Sequence, residues 1–565
     1  MSTPRRIVRR PFVEPAGDWP AHWPEVLRRV HAARGSDGRS AMPKLGDLLP
    51  PSQLKGIDAA TALLAAAIAR DARILVVGDF DCDGATACAV AVRGLRLLGA
   101  RTVLQAVPNR ILHGYGLTPG LVEELSALQP DLVVTVDHGI ACHSGIAVAK
   151  ALGWQVLVTD HHLPGPTLPA ADAIVNPNQP GCTFPSKALA GVGVMFYLLL
   201  ALRARLGVQA ELASLLDLVA VGTVADMVPL DTNNRALVGA GLRRLRARQG
   251  CAGLNALIEA SGRKAATLST TDIGFAIGPR INAAGRLEDM GIGIECLLTD
   301  DLRQARELAA ILHGINEERR VLQATMQDMA DASLDGIDTR FAACLFDSEW
   351  HPGVVGLVAS KLKERLHRPA IAFAPAEPDS EVLRGSARSI PGFHIRDALA
   401  LVDARHPGLI TRFGGHAMAA GMSLPRDAFP TFRDAFADVA RERLSADMLT
   451  EELRSDGALA VHEFHIDTAL ALRDGGHWGQ GYPEPQFDGE FEVLNFRVLK
   501  DRHLKLELGL DGKRFNAIQF NGWDGDAPPS RVRIAYRIVP DDYRGFDTIQ
   551  LVVAHREPAG VSAPA

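Results

Sequence analysis

Between residues 72 and 160 four short apolar runs, rich in β-branched residues, alternate with three longer segments whose apolar positions recur at helical spacing. The short runs are "ARILVVGD", "RTVLQAVP", "DLVVTVD" and "WQVLVTD". None alternates cleanly between apolar and polar residues, which is the pattern of parallel strands covered on both faces. Strands alternating with helices predict a layered α/β domain. The first intervening segment, "ATACAVAVRGLRLLGA", reads as a helix ending at Gly99. Further helices are expected near 119–128 and 142–152, and residues 189–265 read as mostly helical. Residues 302–332 form one continuous charged and apolar periodic stretch, a long helix expected to join two domains. Beyond it, "RFAACLFD" and "RPAIAFAP" predict two strands with a helix between them, the start of a second α/β region. From about residue 455 the period shortens to two. "FEVLNFRVLKDRHLKLELGLDGKRFNAIQFNG" and "RVRIAYRIVPDDYRGFDTIQLVVAHRE" read as short strands and turns, a small β-barrel.

The expected organisation is therefore a helical lead-in with Pro-rich joints over 1–70, a parallel-sheet α/β domain over 71–265 and a helical connector over 266–335. A second α/β domain over 336–450, a β-barrel over 451–556 and a disordered tail over 557–565 complete it. The total of 565 residues agrees with about three or four domains. A composition of 47% hydrophobic and 22% charged residues is that of a soluble globular protein. The net charge of −6 does not advertise nucleic-acid binding, although a basic groove can sit within a mildly acidic total. Seven scattered cysteines without a C-x-x-C pair argue against a disulfide framework and a thiolate zinc site, and point to a cytoplasmic protein. The basic N-terminus has no apolar segment after it and is not a signal peptide. The longest apolar run, residues 188–202, is too short to span a bilayer and reads as a buried helix.

Chemistry enters at "VVGDFDCDG", residues 76–84. Asp79, Asp81 and Asp83 stand at alternate positions before a glycine, as at the opening of an EF-hand loop. That loop would need a bidentate Glu where Val90 stands and an oxygen ligand where Ala87 stands, and a strand rather than a helix leads in. The stretch is instead strand, acidic turn, helix, at the carboxyl end of a strand, where open α/β sheets bind ligands. Two readings remain open for it alone: a metal site, or an acidic turn capping the next helix. The neighbouring strands carry the same chemistry. "LVVTVDHG" ends in Asp137 and His138, and "VLVTDHH" ends in Asp160, His161 and His162. Asp226, in the apolar "GTVADMVPL", would be costly to bury unless paired or ligating. Carboxylates with one or two imidazoles suit Mn²⁺ or Mg²⁺. Five or six carboxylates exceed the needs of one ion. Two ions about 3.5–4 Å apart would share them, a geometry suited to phosphoryl hydrolysis.

The set resembles the DHH phosphoesterase superfamily and, within it, closely the RecJ single-strand DNA exonucleases. The resemblance rests on "VVGDFDCDGATA", "VPNR", "VTVDHG", "VTDHH", "NPNQ", "GTVADMVPL", "GPRINAAGR", "HPGVVGLVASKL", "GSARS" and "FGGHAMAAG", in family order. It implies a DHH domain, a DHHA1 domain and a C-terminal OB-fold, whose entry motif "GHWGQGYPEPQF" resembles. It places Asp81, Asp83, Asp137, His161 and Asp226 at metal-ligand positions, with Asp79 and Asp160 in the same cluster to ligate or orient. His162 falls at a second active-site histidine. Arg110, Arg280, Ser386 and Arg388 match positions facing nucleic-acid phosphates, where guanidiniums bind bidentately. His416 matches a histidine that approaches the scissile phosphate. His138 departs from the family pattern, which has a small residue there; it is either a spare ligand or points away.

The resemblance implies a 5′→3′ exonuclease on single-stranded DNA, acting in repair and recombination with two Mn²⁺ or Mg²⁺ ions. A 5′-phosphate would be held by Arg110, Arg280, Ser386 and Arg388, and the barrel would add stacking and backbone contacts. A single-strand DNA-binding protein and a repair helicase are the candidate protein partners. Two rival readings carry their own signals. A DHH enzyme for pyrophosphate, short oligonucleotides or cyclic dinucleotides would not need a strand-tracking barrel. A non-catalytic replication scaffold would lose ligands, and here every acid and both histidines are present.

Overall fold

The structure is a computed structural model and describes residues 5–110, 112–334, 337–541 and 548–560. The chain divides into two compact units. One consists of Glu14–Glu317 and Ala471–Glu484, the other of Met1–Val13, Glu318–Leu470 and Pro485–Ala565.

The core of the first unit is an all-parallel sheet of strands Ile74–Val77, Val103–Ala106, Leu132–Val136, Gln155–Thr159 and Ala173–Val175. Across the sheet the order is Val103–Ala106, Ile74–Val77, Leu132–Val136, Gln155–Thr159, Ala173–Val175. Every residue of Ile74–Val77 and Leu132–Val136 is buried. Leu75, Val77, Val133, Val156 and Val158 face one layer of helices, with Leu121, Val122 and Ile146 packed against them. The opposite face is covered by helices Cys82–Leu97 and Gly191–Leu206. The absence of apolar–polar alternation in these strands is thus the signature of burial on both faces. The apolar run at 188–202 lies largely in the buried helix Gly191–Leu206. Among the described residues no helix is long and apolar enough to cross a membrane.

The second unit contains a five-stranded mixed sheet and a closed five-stranded barrel. The sheet runs Arg412–Gly415, Ala419–Pro425, Val382–Arg388, Ala370–Pro375, Ala343–Phe346. Ile371, Phe373, Phe432 and Phe436 form its core. The barrel strands are Phe487–Leu499, His503–Leu510, Lys513–Gln519, Arg531–Pro540 and Ile549–Pro558. Parallel pairing of Lys513–Gln519 with Ile549–Pro558 closes it, around Phe491, Leu506, Leu508, Val532 and Leu551. The long helix is continuous from Leu302 to Ser333, one residue beyond expectation.

Three expectations need correction. The N-terminal segment is not wholly helical: Arg5–Arg9 is a strand, parallel to Glu451–Ser455. Its charges are matched across the pair, with Arg5 on Glu451 and Arg6 on Glu452, each at 2.6 Å. The segment "GHWGQGYPEP", expected to open the barrel domain, belongs to the first unit instead. There His31 stacks between Trp23 and Trp478, at ring separations of 5.1 and 5.0 Å. His31 is fully buried; its Nε2–H donates to Gly475 O at 2.8 Å and its Nδ1 accepts from the Tyr482 hydroxyl at 2.6 Å. Finally, Glu557 and Pro558 continue the last barrel strand rather than starting a tail. The tail's remainder, 561–565, and residues 1–4 of the lead-in lie outside the described residues.

The short N-terminal strand also fastens the barrel. Arg9 Nε and Nη2 donate to the two Asp488 oxygens at 2.9 and 3.0 Å, and Arg533 Nη2 donates at 2.9 Å. Ser455 Oγ completes the set at 2.5 Å, and the Asp488 side chain is fully buried. Asp488→Ala leaves two guanidiniums facing an empty place. It is expected to cost about 3 kcal/mol, the low end for a broken buried pair, because both guanidiniums keep contact with water. Denaturant unfolding of this variant checks the figure; a midpoint equal to that of the unsubstituted chain contradicts it.

Candidate metal centre

Three neighbouring strands bring the acids together. Val77 lies beside Thr135, and Val136 beside Thr159. Asp79 and Asp137, each two residues further on, therefore stand at one level, with Asp160 next to Asp137. The strand order reverses between Ile74–Val77 and Leu132–Val136, so this is the crevice where α/β sheets hold ligands.

Four of the carboxylates, those of Asp79, Asp81, Asp83 and Asp160, accept from backbone donors. Asp81 caps the helix Cys82–Leu97, accepting from the Gly84 N–H at 3.0 Å, so the capping reading holds for one of its oxygens. Asp83 is fully buried and accepts from the Gly191 and Val192 N–H groups at 2.6 and 3.0 Å. These open the helix Gly191–Leu206, whose positive end favours an anion. Gly191 is required by this approach: a Cβ there would lie 2.5 Å from Asp137 Cβ. The same holds for Gly84, whose Cβ would lie 2.5 Å from Asp79 N. Asp79 accepts from the Phe80 N–H at 2.8 Å. Asp137 has φ +66°, a left-handed conformation uncommon outside glycine, and one that stores strain.

Two sets of ligand atoms result. Asp79, Asp81 and Asp137 form one, and Asp83, His161 and Asp226 the other; within each set the atoms lie within 4.8 Å of one another. Asp137 also groups with His161 and His162. His161 Nε2 lies 3.1 Å from Asp137 Oδ1 and 3.6 Å from Asp226 Oδ2. All three of these atoms are buried, and none has a hydrogen-bond partner among the described residues. An unsatisfied buried polar atom costs stability. Three such atoms converge on one point, and the residues fit two divalent cations of the hard to borderline kind.

The electrostatics carry the same message. Burial and then the Asp81 charge push Asp79 up to about 8. Burial and a neighbouring carboxylate push Asp83 and Asp226 up to about 7, through Asp226 and Asp81 respectively. Asp137 is driven well above the carboxylate range by burial and then by Asp83. The acids cannot all ionise without a compensating cation. Asp160 is the exception. Burial raises it, but its hydrogen bond to His162 and the histidine charges prevail and hold it well below the usual range. Reciprocally, burial lowers His162, yet the Asp160 bond outweighs it and raises the imidazole to about 9. Asp160 accepts from the N–H groups of Ile140, His161 and His162 and from His162 Nδ1, at 2.7 to 3.0 Å. Both its oxygens are thus occupied, and it orients the histidines.

The remaining predicted residues divide. The Arg110 guanidinium lies 4.3 Å over the Phe80 ring, at the rim of the acidic cluster. Arg280 is nearly buried and braced within the fold: Nη1 donates to Ala276 O at 2.6 Å, and Nε and Nη2 face His313 Nδ1 at 3.2 and 3.0 Å. Of the alternatives for His138, the structure selects the second. It is fully buried, donates from Nε2 to Val77 O at 3.0 Å, and belongs to none of the ligand groups among the described residues. In the second unit, Arg388 Nη1 donates to Ser386 Oγ at 2.9 Å, and Arg388 pairs in register with Ala419, whose carbonyl accepts from the His416 N–H at 2.8 Å. Ser386, Arg388 and His416 thus gather at one end of the second sheet.

Sequence reasoning passed over the residues that hold the ligands. Asn176 Nδ2 donates to His162 O at 2.9 Å and Asn178 Nδ2 to His161 O at 2.6 Å, which fixes the double histidine. Asn282 Oδ1 accepts from the Cys82 N–H at 2.8 Å, inside the acidic turn. "NPNQ" and "GPRINAAGR" drew notice as motifs; short amides after a strand end or within a helix were the available signal.

Comparison with known proteins agrees with this architecture. Family models match at residues 73–223 (DHH family, N-terminal domain), 338–442 (DHHA1 domain) and 455–555 (RecJ OB domain). The single-stranded-DNA-specific exonuclease RecJ of Dickeya dadantii is 47% identical, over 99% of this chain and 100% of its own. That of Escherichia coli is 45% identical, over 97% and 98%. Among solved structures, RecJ from Thermus thermophilus in complex with Mn²⁺ superposes with a TM-score of 0.80 at 32% identity, over 96% of this chain and 76% of that one. The corresponding Mg²⁺ complex gives a TM-score of 0.75 at 30% identity, over 96% and 75%.

Proposed function

This chain belongs to the RecJ family of single-stranded-DNA-specific exonucleases, and we propose that it degrades single-stranded DNA from the 5′ end, with divalent cations, in DNA repair and recombination. The observation that carries the reading is the convergence of Asp137 Oδ1, His161 Nε2 and Asp226 Oδ2, buried and without hydrogen-bond partners among the described residues, beside Asp79, Asp81 and Asp83. When bound, two divalent cations supply Lewis acidity and charge neutralisation for phosphodiester hydrolysis. Asp79, Asp81 and Asp137 would hold one of them, and Asp83, His161 and Asp226 the other. The protein's own part is preorganisation. Asp160 keeps His162 cationic and turned toward the crevice, where it can face phosphate charge. Arg110, flat against Phe80, is assigned to a strand phosphate. The resemblance assigns Ser386, Arg388 and His416 to phosphate contacts. The 5′ polarity, the cytoplasmic setting and the protein partners, a single-strand DNA-binding protein and a repair helicase, follow from the resemblance.

The test is a set of end-labelled substrates with Mn²⁺: single strands with and without a 5′-phosphate, beside a blunt duplex. Release of 5′-labelled product from the first turnovers, with the duplex left intact, is expected. Initial release from the 3′ end, or equal rates on the duplex, would overturn the proposal.

A further inference from the structure

Asp226 reaches the cation centre differently from most of the other acids. Asp79, Asp81, Asp83 and Asp160 are held at the carboxylate by backbone donors, whereas Asp226 Oδ2 has no hydrogen-bond partner among the described residues. Its place is therefore set through its backbone. On one side the helix Leu216–Ala225 carries it, and Gly222 O accepts its N–H at 2.9 Å. On the other side Met227 has φ +63°, a strained conformation that persists only where the surroundings hold it. Whatever holds this corner acts through the short loop from Met227 to Asp231, the residue that caps the helix Thr232–Arg246.

A turn from far along the chain, within the same unit, grips that loop. Gly479 and Tyr482 close on each other: the Gly479 N–H donates to Tyr482 O at 2.9 Å and the Tyr482 N–H to Gly479 O at 3.1 Å. The tip of the turn presents Gln480 O to the Leu230 N–H at 2.7 Å. Leu230 O accepts from Arg235 Nη1, also at 2.7 Å, and the Arg235 guanidinium lies over the Tyr482 ring. Leu230 is buried, so both of its backbone groups depend on these partners. The turn is itself anchored: Trp478 O accepts from Thr270 Oγ1 at 2.6 Å, and the Trp478 and Tyr482 rings stack at 5.5 Å. The approach is close enough to require glycine. Gly481 has φ +72°, and a Cβ there would lie 3.2 Å from Pro229 Cβ; one on Gly479 would lie 2.6 Å from Leu230 Cδ1.

We infer that the turn Gly479–Tyr482, together with Arg235, is a positioning element for Asp226: it fixes the loop Met227–Asp231 and so holds one ligand of the cation pair in place. The inference rests on the reading of Asp226 as a cation ligand. Groups that orient a metal ligand from behind are typically worth 10- to 100-fold in metal affinity, and here the support is given through the backbone instead of a side-chain hydrogen bond. Its effect should fall on one ion of the pair. Asp79 and Asp137 follow the strands Ile74–Val77 and Leu132–Val136, and Asp81 caps the helix Cys82–Leu97, whereas Asp226 belongs to the set with Asp83 and His161. The assignment also gives a reason for burying Arg235, whose guanidinium ties the turn to the loop.

The experiment titrates the metal-free full chain with Mn²⁺ and reads free Mn²⁺ from its electron paramagnetic resonance signal, so binding is measured without turnover. The unsubstituted chain is expected to bind two ions. Gly481→Ala, which presses on Pro229, is expected to bind one of them as before and the other about tenfold more weakly, with turnover recovered at saturating Mn²⁺. Asp226→Asn should weaken the same ion. Gly207→Ala is the control: at φ +66° it carries similar backbone strain, with no described atom within 4 Å of the new Cβ, and it should bind both ions as the unsubstituted chain does. If Gly481→Ala does not fold, Gly479→Ala takes its place, with a smaller loss at the same ion. Unchanged affinity for both ions in the folded variant, or a loss no larger than that of Gly207→Ala, overturns the positioning role and leaves the cation centre intact. Fewer than two ions on the unsubstituted chain, or Asp226→Asn binding both as tightly, overturns the reading of Asp226 and the inference with it.

Discussion

Asp137→Ala should abolish nucleotide release from single-stranded DNA while leaving the chain folded and able to bind the strand. Asp137 is the acid common to both sides of the crevice: it groups with Asp79 and Asp81, and separately with His161 and His162. Its loss should exceed the roughly 10²–10³ in kcat that a single transition-state donor supplies. The fold should survive because removing one carboxylate relieves a cluster in which burial and neighbouring charges already oppose ionisation. The left-handed backbone at this position bears on the choice of variant. Alanine is strained at φ +66°, whereas asparagine tolerates that region and keeps the side-chain shape. Asp137→Asn is therefore the companion variant, expected to be as inactive and at least as stable. Nucleotide release at saturating Mn²⁺, strand binding by fluorescence anisotropy and thermal unfolding together decide the matter. Near-normal turnover in either variant would remove Asp137 from the cation centre.

The second large effect is a pH dependence that metal ions should erase. Without cations, Asp79 titrates near 8 and Asp83 and Asp226 near 7, all raised above the unfolded value of about 4. A raised carboxyl binds its proton in the folded chain and loses it in the unfolded one. Its contribution is full below the unfolded pKa and is lost as pH rises through the folded pKa. His162, raised to about 9, has the same sign. Buried His31, His138 and His477, lowered to about 4, and His161, His351, His367 and His555, also lowered by burial, act oppositely until the unfolded histidine has lost its proton about one pH unit above 6.5. Between about pH 7.5 and 8.5 the carboxyls and His162 therefore prevail, and the buried thiols, raised by burial, add the same sign at the upper end. The Tm of the chain in chelator should fall steadily across that window, and saturating Mn²⁺ should flatten the slope. Mn²⁺ affinity should in turn rise with pH over the same range, with proton release on binding. A metal-free Tm that is constant or rises from about pH 7.5 to 8.5 would contradict the assignment.

The catalytic sheet was legible because its determinants are local. Each strand is a short apolar run, and the acid that follows it needs no distant partner to be recognised. Asp79, Asp81, Asp83, Asp137 and His161 could be read in this way, and the parallel sheet brings them to one edge; Asp226, at the end of the helix Leu216–Ala225, was legible instead as an acid in an apolar stretch. What escaped depends on pairing across long separations. "RRIVR" carries three arginines and reads as exposed; it becomes a strand only because Glu451 and Glu452 neutralise it from the far end of the chain. "GHWGQGYPEP" has too little apolar periodicity to declare a partner, and its place is set by His31, Trp23 and Arg235, the last lying 3.8 Å over the Tyr482 ring. Arg280 illustrates another limit. A motif supplies the residue type, but whether its guanidinium faces solvent or the Ala276 carbonyl is settled by packing.

Anomalous diffraction at the manganese edge, from crystals of this chain grown with Mn²⁺, tests the cation centre most directly. Two peaks about 3.5–4 Å apart are expected. One should lie among Asp79, Asp81 and Asp137, and the other among Asp83, His161 and Asp226. A single peak, or peaks confined to surface carboxylates with Asp137 Oδ1, His161 Nε2 and Asp226 Oδ2 still unligated, would contradict the account.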